Sequence, residues 1–243
     1  MENRMRRFFC EKINNGIVSI KGQDAQHMHD VLRMRKGDRL IICSLGKDYV
    51  CEITHIDSTS VECKALDEIQ NVSEPAIKVT LYQGLPKADK MEYIIQKCVE
   101  LGVTRIVPVC CARSIVKLDA AGKENKVSRW RKISAEASKQ SGRGIIPVVD
   151  VPIRVDEIIN SHDLAVMFWE LDRENRLKSI LGNNNFKDIG IFIGPEGGIT
   201  DAEAQQLLDK GFVSSSLGKR ILRTETAGIA ALSALMYHYD ELG

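Results

Sequence analysis

Two stretches near the C-terminal end of this 243-residue chain hold the residue types that could do chemistry. In the first, Ile189–Thr200 (IGIFIGPEGGIT), the apolar run Ile191–Phe192–Ile193 leads straight into Gly194–Pro195–Glu196–Gly197–Gly198. Three glycines in five residues let the backbone turn sharply and lie close against a flat or charged ligand. In the second, Leu217–Leu232 (LGKRILRTETAGIAAL), Gly218 breaks a short strand-like run and Lys219, Arg220 and Arg223 bring positive charge. Either loop alone reads as a plain turn. Together, flanked by basic and hydroxyl side chains, they predict a binding site at strand ends, where open α/β sheets place ligands. Arg223–Thr224–Glu225 also suits a helix start, with Thr224 or Thr226 as cap and Glu225 on the positive helix end.

The elements that must position these loops alternate. Strands are expected at Ile77–Gln83, Ile106–Val109, Leu164–Glu170, Ile189–Gly194 and Val213–Leu217. Between them, helices are expected at Lys87–Leu101, Lys123–Ser141 and Asp201–Lys210, and a last one at Thr224–Tyr239. Thr200 suits the N-cap of the third, with Glu203 placed to complete a capping box. Strand–helix alternation predicts a mainly parallel sheet with helices on both faces. The last helix carries Ile229, Leu232, Leu235 and Met236 with Ala230, Ala231 and Ala234 between them, more apolar and small positions than one buried stripe needs.

Ahead of this lies a different grammar. Residues 1–66 read as a small β-rich unit with strands at Ile17–Ile20, Arg39–Ser44, Tyr49–Asp57 and Val61–Leu66, and a helix at Gln23–Arg33. Asp67–Pro75 is polar, ends in proline and reads as a linker, which divides the chain into domains 1–70 and 76–243. Residues 1–40 hold nine Lys/Arg against five Asp/Glu in a chain of net charge +1, so any nucleic-acid face is local. Arg4, Arg6 and Arg7 beside Phe8 and Phe9 join phosphate-pairing cations to rings; the arginines favour RNA, the rings a core. His27 and His29, two residues apart on a helix, suit chelation poorly, and no metal is expected.

Composition excludes several classes. Seven cysteines, an odd number with no CxxC pair, read as buried free thiols of a reducing cytoplasm. No apolar run is long enough to span a membrane, and no apolar h-region follows Arg7, so no membrane or signal segment is expected. No GxGxxG follows the first strand of the alternating region and no GxxxxGK[ST] occurs, which disfavours the ordinary dinucleotide fold and P-loop enzymes.

GPEGG followed by LGKRILRTETA and a C-terminal helix resembles the SPOUT class of RNA methyltransferases, and within it the RsmE family, which methylates N3 of a uridine in 16S ribosomal RNA of the small ribosomal subunit. HMHDVLRMRKGDRL resembles the family's N-terminal segment, which is similar to a PUA-like RNA-binding barrel, and Gln140–Ser141–Gly142–Arg143 resembles another. The resemblance implies an α/β fold: a SPOUT-type knotted, mainly parallel sheet preceded by a small β-rich PUA-like barrel domain. It also implies a C-terminal trefoil knot and a homodimer with sites near the interface.

The implied cofactor is S-adenosyl-L-methionine, held by Trp169, Glu170, Ile193, Gly194, Pro195, Glu196, Gly197, Gly198, Leu217, Gly218, Ile221, Leu222, Arg223, Thr224 and Ala227. A branched side chain at Gly198 is expected to fill the slot and leave the fold intact. N3 of uridine must lose its imide proton, and a Glu of ordinary pKa ~4.3 is a poor base for so weak an acid. Arg220, Arg223 and the N-terminal arginines are therefore the candidates for stabilising charge on the uracil oxygens, the first two being the expected catalytic groups, with Glu225 a candidate proton acceptor. RNA contacts are expected from Arg4, Arg6, Arg7, Arg33, Arg35, Lys36 and Arg143, the last reading equally as part of a helix C-cap. Two rival readings stay open: a SPOUT enzyme acting on a ribose 2′-OH or a guanine, and a non-catalytic RNA-binding assembly factor.

Overall fold

A computed structural model describes residues 5–114, 120–172 and 174–242. The chain forms two compact units, one of residues 1–74 with 138–146, the other of residues 75–137 with 147–243. Arg4 lies outside the described residues.

The first unit is a five-stranded sheet around a single core. Its strands are β1 (Arg7–Phe9), β2 (Ile17–Lys21), β3 (Arg39–Ser44), β4 (Lys47–Ile56) and β5 (Ser60–Ile69), in spatial order β1-β3-β4-β5-β2. Alternation makes the core: in β2, Val18 and Ile20 point inward while Ile17, Ser19 and Lys21 face solvent. β1 was not expected, because three residues behind a run of arginines give no periodicity to read; it buries Phe8, as expected of that ring. The expected helix at Gln23–Arg33 is shorter. A single turn, α1 (Gln23–Gln26), passes into a π-helical stretch at His27–Val31, and Arg33 closes it with φ 51°.

Polar residues finish this unit. β5 runs on to Ile69, three residues past the expected strand end, and the rest of the expected linker is engaged rather than loose. Asn71 Nδ2 donates to Asp48 (2.9 Å), and Ser73 Oγ donates to the Gly142 carbonyl (2.6 Å). Glu74 receives two hydrogen bonds from the Arg143 guanidinium (3.0 and 2.7 Å) and one each from the Gly144 and Ile145 amides.

The second unit holds a seven-stranded, entirely parallel sheet. Its elements in chain order are β6 (Lys78–Gly84), α2 (Lys90–Glu100), β7 (Arg105–Cys110), α3 (Ala120–Ser141, whose end lies in the first unit), β8 (Val148–Val149), β9 (Ile153–Arg154), β10 (Leu164–Phe168), α4 (Leu177–Leu181), β11 (Asp188–Ile193), α5 (Asp201–Asp209), β12 (Val213–Ser215) and α6 (Thr224–His238). The spatial order is β12-β10-β11-β6-β7-β8, with β9 also on β7. The two-residue strands β8 and β9 and the short α4 carry no pattern in the sequence.

Both faces of this sheet are covered, as parallel sheets require. On one face Ile191 and Ile193 of β11 join Leu81, Ile94, Trp130, Leu232 and Leu235; on the other Phe192 joins Tyr82, Met167, Ala204 and Leu207. α5 opens as its sequence dictates. Thr200 Oγ1 accepts from the Glu203 amide (3.2 Å), while the Glu203 carboxylate accepts from the Thr200 amide (2.9 Å). Glu203 also accepts from the Ala112 amide (2.7 Å). Among the described residues, no helix is long and apolar enough to cross a membrane.

Candidate functional site

β10, β11 and β12 stop together at Phe168, Ile193 and Ser215, and the segments that leave them enclose a cavity of about 1110 Å³. Its walls are Phe168–Glu170 after β10, Ile193–Glu196 with Gly198 after β11, and Ser216–Thr224 with Ala227 after β12 and into α6. Every residue expected to hold the cofactor lines it except Gly197, which turns away: a Cβ there would stand 3.1 Å from Arg113 Cβ, and its carbonyl accepts from Arg113 Nη1 (3.3 Å). The expected strands at Leu164–Glu170 and Val213–Leu217 each end two residues early, which frees Trp169, Glu170, Ser216 and Leu217 to face the cavity.

The loop after β11 lies tight against its neighbours. A Cβ on Gly84, at the end of β6, would meet the Pro195 nitrogen at 2.5 Å, so the backbones touch where only glycine fits. Gly198 has φ 66°, and a Cβ there would meet Glu170 Oε1 at 2.5 Å. A branched residue at 198 would thus strain the backbone before it filled the slot, and the expectation of a silent blocking substitution is corrected.

A buried relay joins two of these walls. Gln83, fully buried, donates through Nε2 to Thr224 Oγ1 (2.9 Å), and Thr224 Oγ1 donates to the Gly194 carbonyl (2.7 Å). Thr224 therefore serves the loop after β11, and its side chain does not cap α6, whose N-cap position is Arg223.

Arg220 and Arg223 both line the cavity and are exposed. Glu225 is not on the wall. It turns to the first turn of α2, where the Lys90 ammonium stands 3.3 Å from its Oε2, and the expectation of a proton acceptor at the reacting atoms is corrected. The wall also holds Lys219, expected there as positive charge, and Asp172, Asn175 and Arg176, for which no role was expected from the sequence. Asp172 sits in a turn and accepts from the Glu174 and Asn175 amides and from Asn175 Nδ2. Burial alone would raise its pKa, but the hydrogen bonds from these donors help hold it down to about 2. The D-x-x-N spacing of a side-chain-stabilised turn was the available signal.

The residues expected to touch RNA divide. Arg6, Arg33, Arg35 and Lys36 are exposed. Arg7 is largely buried and donates to Asp48 Oδ1 (2.6 Å), to Cys43 Sγ (2.7 Å) and to the Arg143 carbonyl (3.4 Å). Arg143, 2% exposed, is locked onto Glu74. Both arginines hold the first unit together, and their assignment to RNA is corrected. Their neighbours in sequence gave no sign of the acidic partners, which lie on other elements. Among the described residues, no cluster of His, Cys, Asp and Glu is placed to hold a metal ion.

This arrangement has known counterparts. A family model described as the RNA methyltransferase domain matches residues 73–236, and one described as the RNA methyltransferase PUA domain matches residues 20–66. The ribosomal RNA small subunit methyltransferase E of Bacillus subtilis is 37% identical, over 98% of each chain. The chain belongs to the ribosomal RNA small subunit methyltransferase E family. The namesake from Aquifex aeolicus is 31% identical over 96% of this chain and 99% of its own. The crystal structure of the family member from Neisseria gonorrhoeae, bound to S-adenosyl methionine, superposes with a TM-score of 0.86 at 31% identity, over 97% of this chain and 98% of that one. A putative methyltransferase from Legionella pneumophila, in complex with bound cofactor SAM, gives 0.87 at 29% over 97% and 98%.

Proposed function

We propose that this protein methylates N3 of a uridine in 16S ribosomal RNA, taking the methyl group from S-adenosylmethionine. The observation that carries the reading is that GPEGG and LGKRILRTETA, separated in sequence by α5 and β12, contribute walls to one cavity large enough for a nucleoside cofactor and a target base together. The residues present fit such a cofactor. Ile193, Leu217, Leu222 and Ala227 offer an apolar slot, and Glu170 and Asp172 offer acceptors for hydroxyl and ammonium groups. The Leu217–Arg223 stretch, outside any helix or strand, leaves peptide groups for the edge of an adenine.

When bound, S-adenosylmethionine supplies an electrophilic methyl group on a positively charged sulfonium. The chain's own share of the reaction is orientation and charge. Arg220 and Arg223 face the uracil oxygens and stabilise the negative charge that develops as N3 gives up its proton. Asp172, titrating near 2, is too weak a base to take that proton. Orientation of nitrogen against carbon, worth up to ~7–11 kcal/mol, carries much of the rate. Arg6, Arg33, Arg35 and Lys36 neutralise RNA phosphates. The family resemblance further supports a C-terminal trefoil knot and a working homodimer.

Incubation with S-adenosylmethionine and undermethylated small ribosomal subunits, followed by nucleoside analysis, tests the proposal. 3-Methyluridine is the expected product; a 2′-O-methylated nucleoside or methylguanosine would replace it by the rival chemistry. Binding of RNA with no cofactor affinity would leave only a binding module.

A further inference from the structure

Lys90 stands on the first turn of α2, outside the cavity wall, with 30% of its side chain exposed. Its ammonium lies 2.9 Å from Glu196 Oε1 and 3.3 Å from Glu225 Oε2. Glu225 Oε2 is buried and has no hydrogen-bond partner besides this contact among the described residues. The two carboxylates belong to the two segments that shape the cavity: Glu196 lines it in the loop after β11, and Glu225, off the wall, follows the lining residues Arg223 and Thr224 in the first turn of α6. The Lys87 amide also turns toward Glu196, at 3.2 and 3.3 Å from its two oxygens. One cation from a third element thus ties the two loops from outside, while the Gln83–Thr224–Gly194 relay ties them from inside.

We propose that Lys90 is a positioning residue for the cofactor, fixing the distance between the 194–198 loop and the wall formed by residues 217–227 without touching what lies between them. The inference rests on the cofactor reading of the cavity. Its physics is simple. Without the ammonium, two half-buried carboxylates are left side by side, and their repulsion pushes the walls apart. With it, they are drawn to one point, and the charged forms of Lys90 and Glu196 are favoured: hydrogen bonding to Glu196 raises the Lys90 pKa, and Glu196, although burial opposes its charge, stays below the usual range. The buried relay remains when Lys90 is lost, so the change is a loosened slot and an intact fold.

Calorimetric titration of S-adenosylmethionine into the wild-type protein, Lys90→Met, Lys90→Arg and Lys90→Met/Glu225→Gln tests this. Lys90→Met is expected to weaken binding by roughly tenfold, since small misplacements of positioning groups are costly. Lys90→Arg should retain most of the affinity, and the added Glu225→Gln should recover part of the loss by removing one of the two repelling charges. In turnover, the KM for cofactor should rise more than kcat falls. Lys90→Met binding as wild type does would overturn the inference. So would a loss matched by a drop in melting temperature and not relieved by Glu225→Gln. A wild-type protein without affinity for S-adenosylmethionine would overturn the cofactor reading and this inference with it, whereas normal wild-type binding beside an unaffected Lys90→Met overturns this inference alone.

Discussion

Arginine serves opposite ends in the two units. Arg220 and Arg223 stay exposed at a cavity, whereas Arg7 is largely buried against an Asp48 that is 2% exposed. Removing one partner of such a pair strands the other charge, so Arg7→Ala should destabilise the protein by about 3 kcal/mol in denaturant unfolding. Burial opposes the Asp48 charge, but hydrogen bonds from Arg7, Cys43 and Asn71 outweigh it and hold the carboxyl below its ordinary range. A carboxyl with a depressed folded pKa stabilises fully above its unfolded value. The Asp48 contribution should therefore be complete above pH ~4 and fall away as the pH drops through the folded value; stability curves of wild type and Arg7→Ala should converge there. The cysteines give a second check at this scale. All seven are free, and burial pushes Cys43, Cys63, Cys98 and Cys111 up to about 12. A thiol reagent at pH 8 should modify half-buried Cys10 and Cys110 in the native protein and reach the rest only after unfolding.

At the scale of elements, signals local in the chain were legible. Thr200 and Glu203 announced the start of α5, and the glycines of the 194–198 segment announced a loop at a strand end. What pairs across the chain was not. Nothing near Gln83 or Lys90 in sequence indicates that they tie together two loops more than a hundred residues away. The two duties of Glu203 show the same limit: its capping role follows from spacing, its bond to the Ala112 amide does not. Glu203→Ala should cost about 1–2 kcal/mol, because the Thr200 and Ala112 amides both lose their acceptor; urea midpoints measure it. The cavity itself is best blocked from a helix, where the backbone is unstrained. Ala227 lines the wall from the first turn of α6, so Ala227→Leu should abolish cofactor binding in calorimetry while the melting temperature changes little.

At the scale of the whole molecule, the structure narrows which surfaces are left to meet partners. With Arg7 and Arg143 engaged internally, Arg33, Arg35 and Lys36 become the test of the RNA face. Changing all three to Ala should weaken binding to small subunits and flatten its salt dependence without moving the cofactor affinity. Dimerisation turns on α6. That helix buries Gly228, Ala231, Leu232, Leu235 and Met236 within its own unit. It leaves Ile229, Ala230 and Ser233 half-buried and Tyr237 76% exposed, while Ile221, at the cavity, is 87% exposed. A helix with one face in the core and apolar residues left on another has somewhere to place a second copy, and a two-fold contact would use the same residues from both. Because α6 begins at the cavity wall, such a contact would stiffen Arg223–Ala227 from the outside. A dimer is therefore expected by sedimentation at micromolar concentration, and Tyr237→Asp together with Ile221→Asp should yield a folded monomer with weakened cofactor binding. A wild-type monomer that methylates at full rate would separate the cavity from any need of a partner.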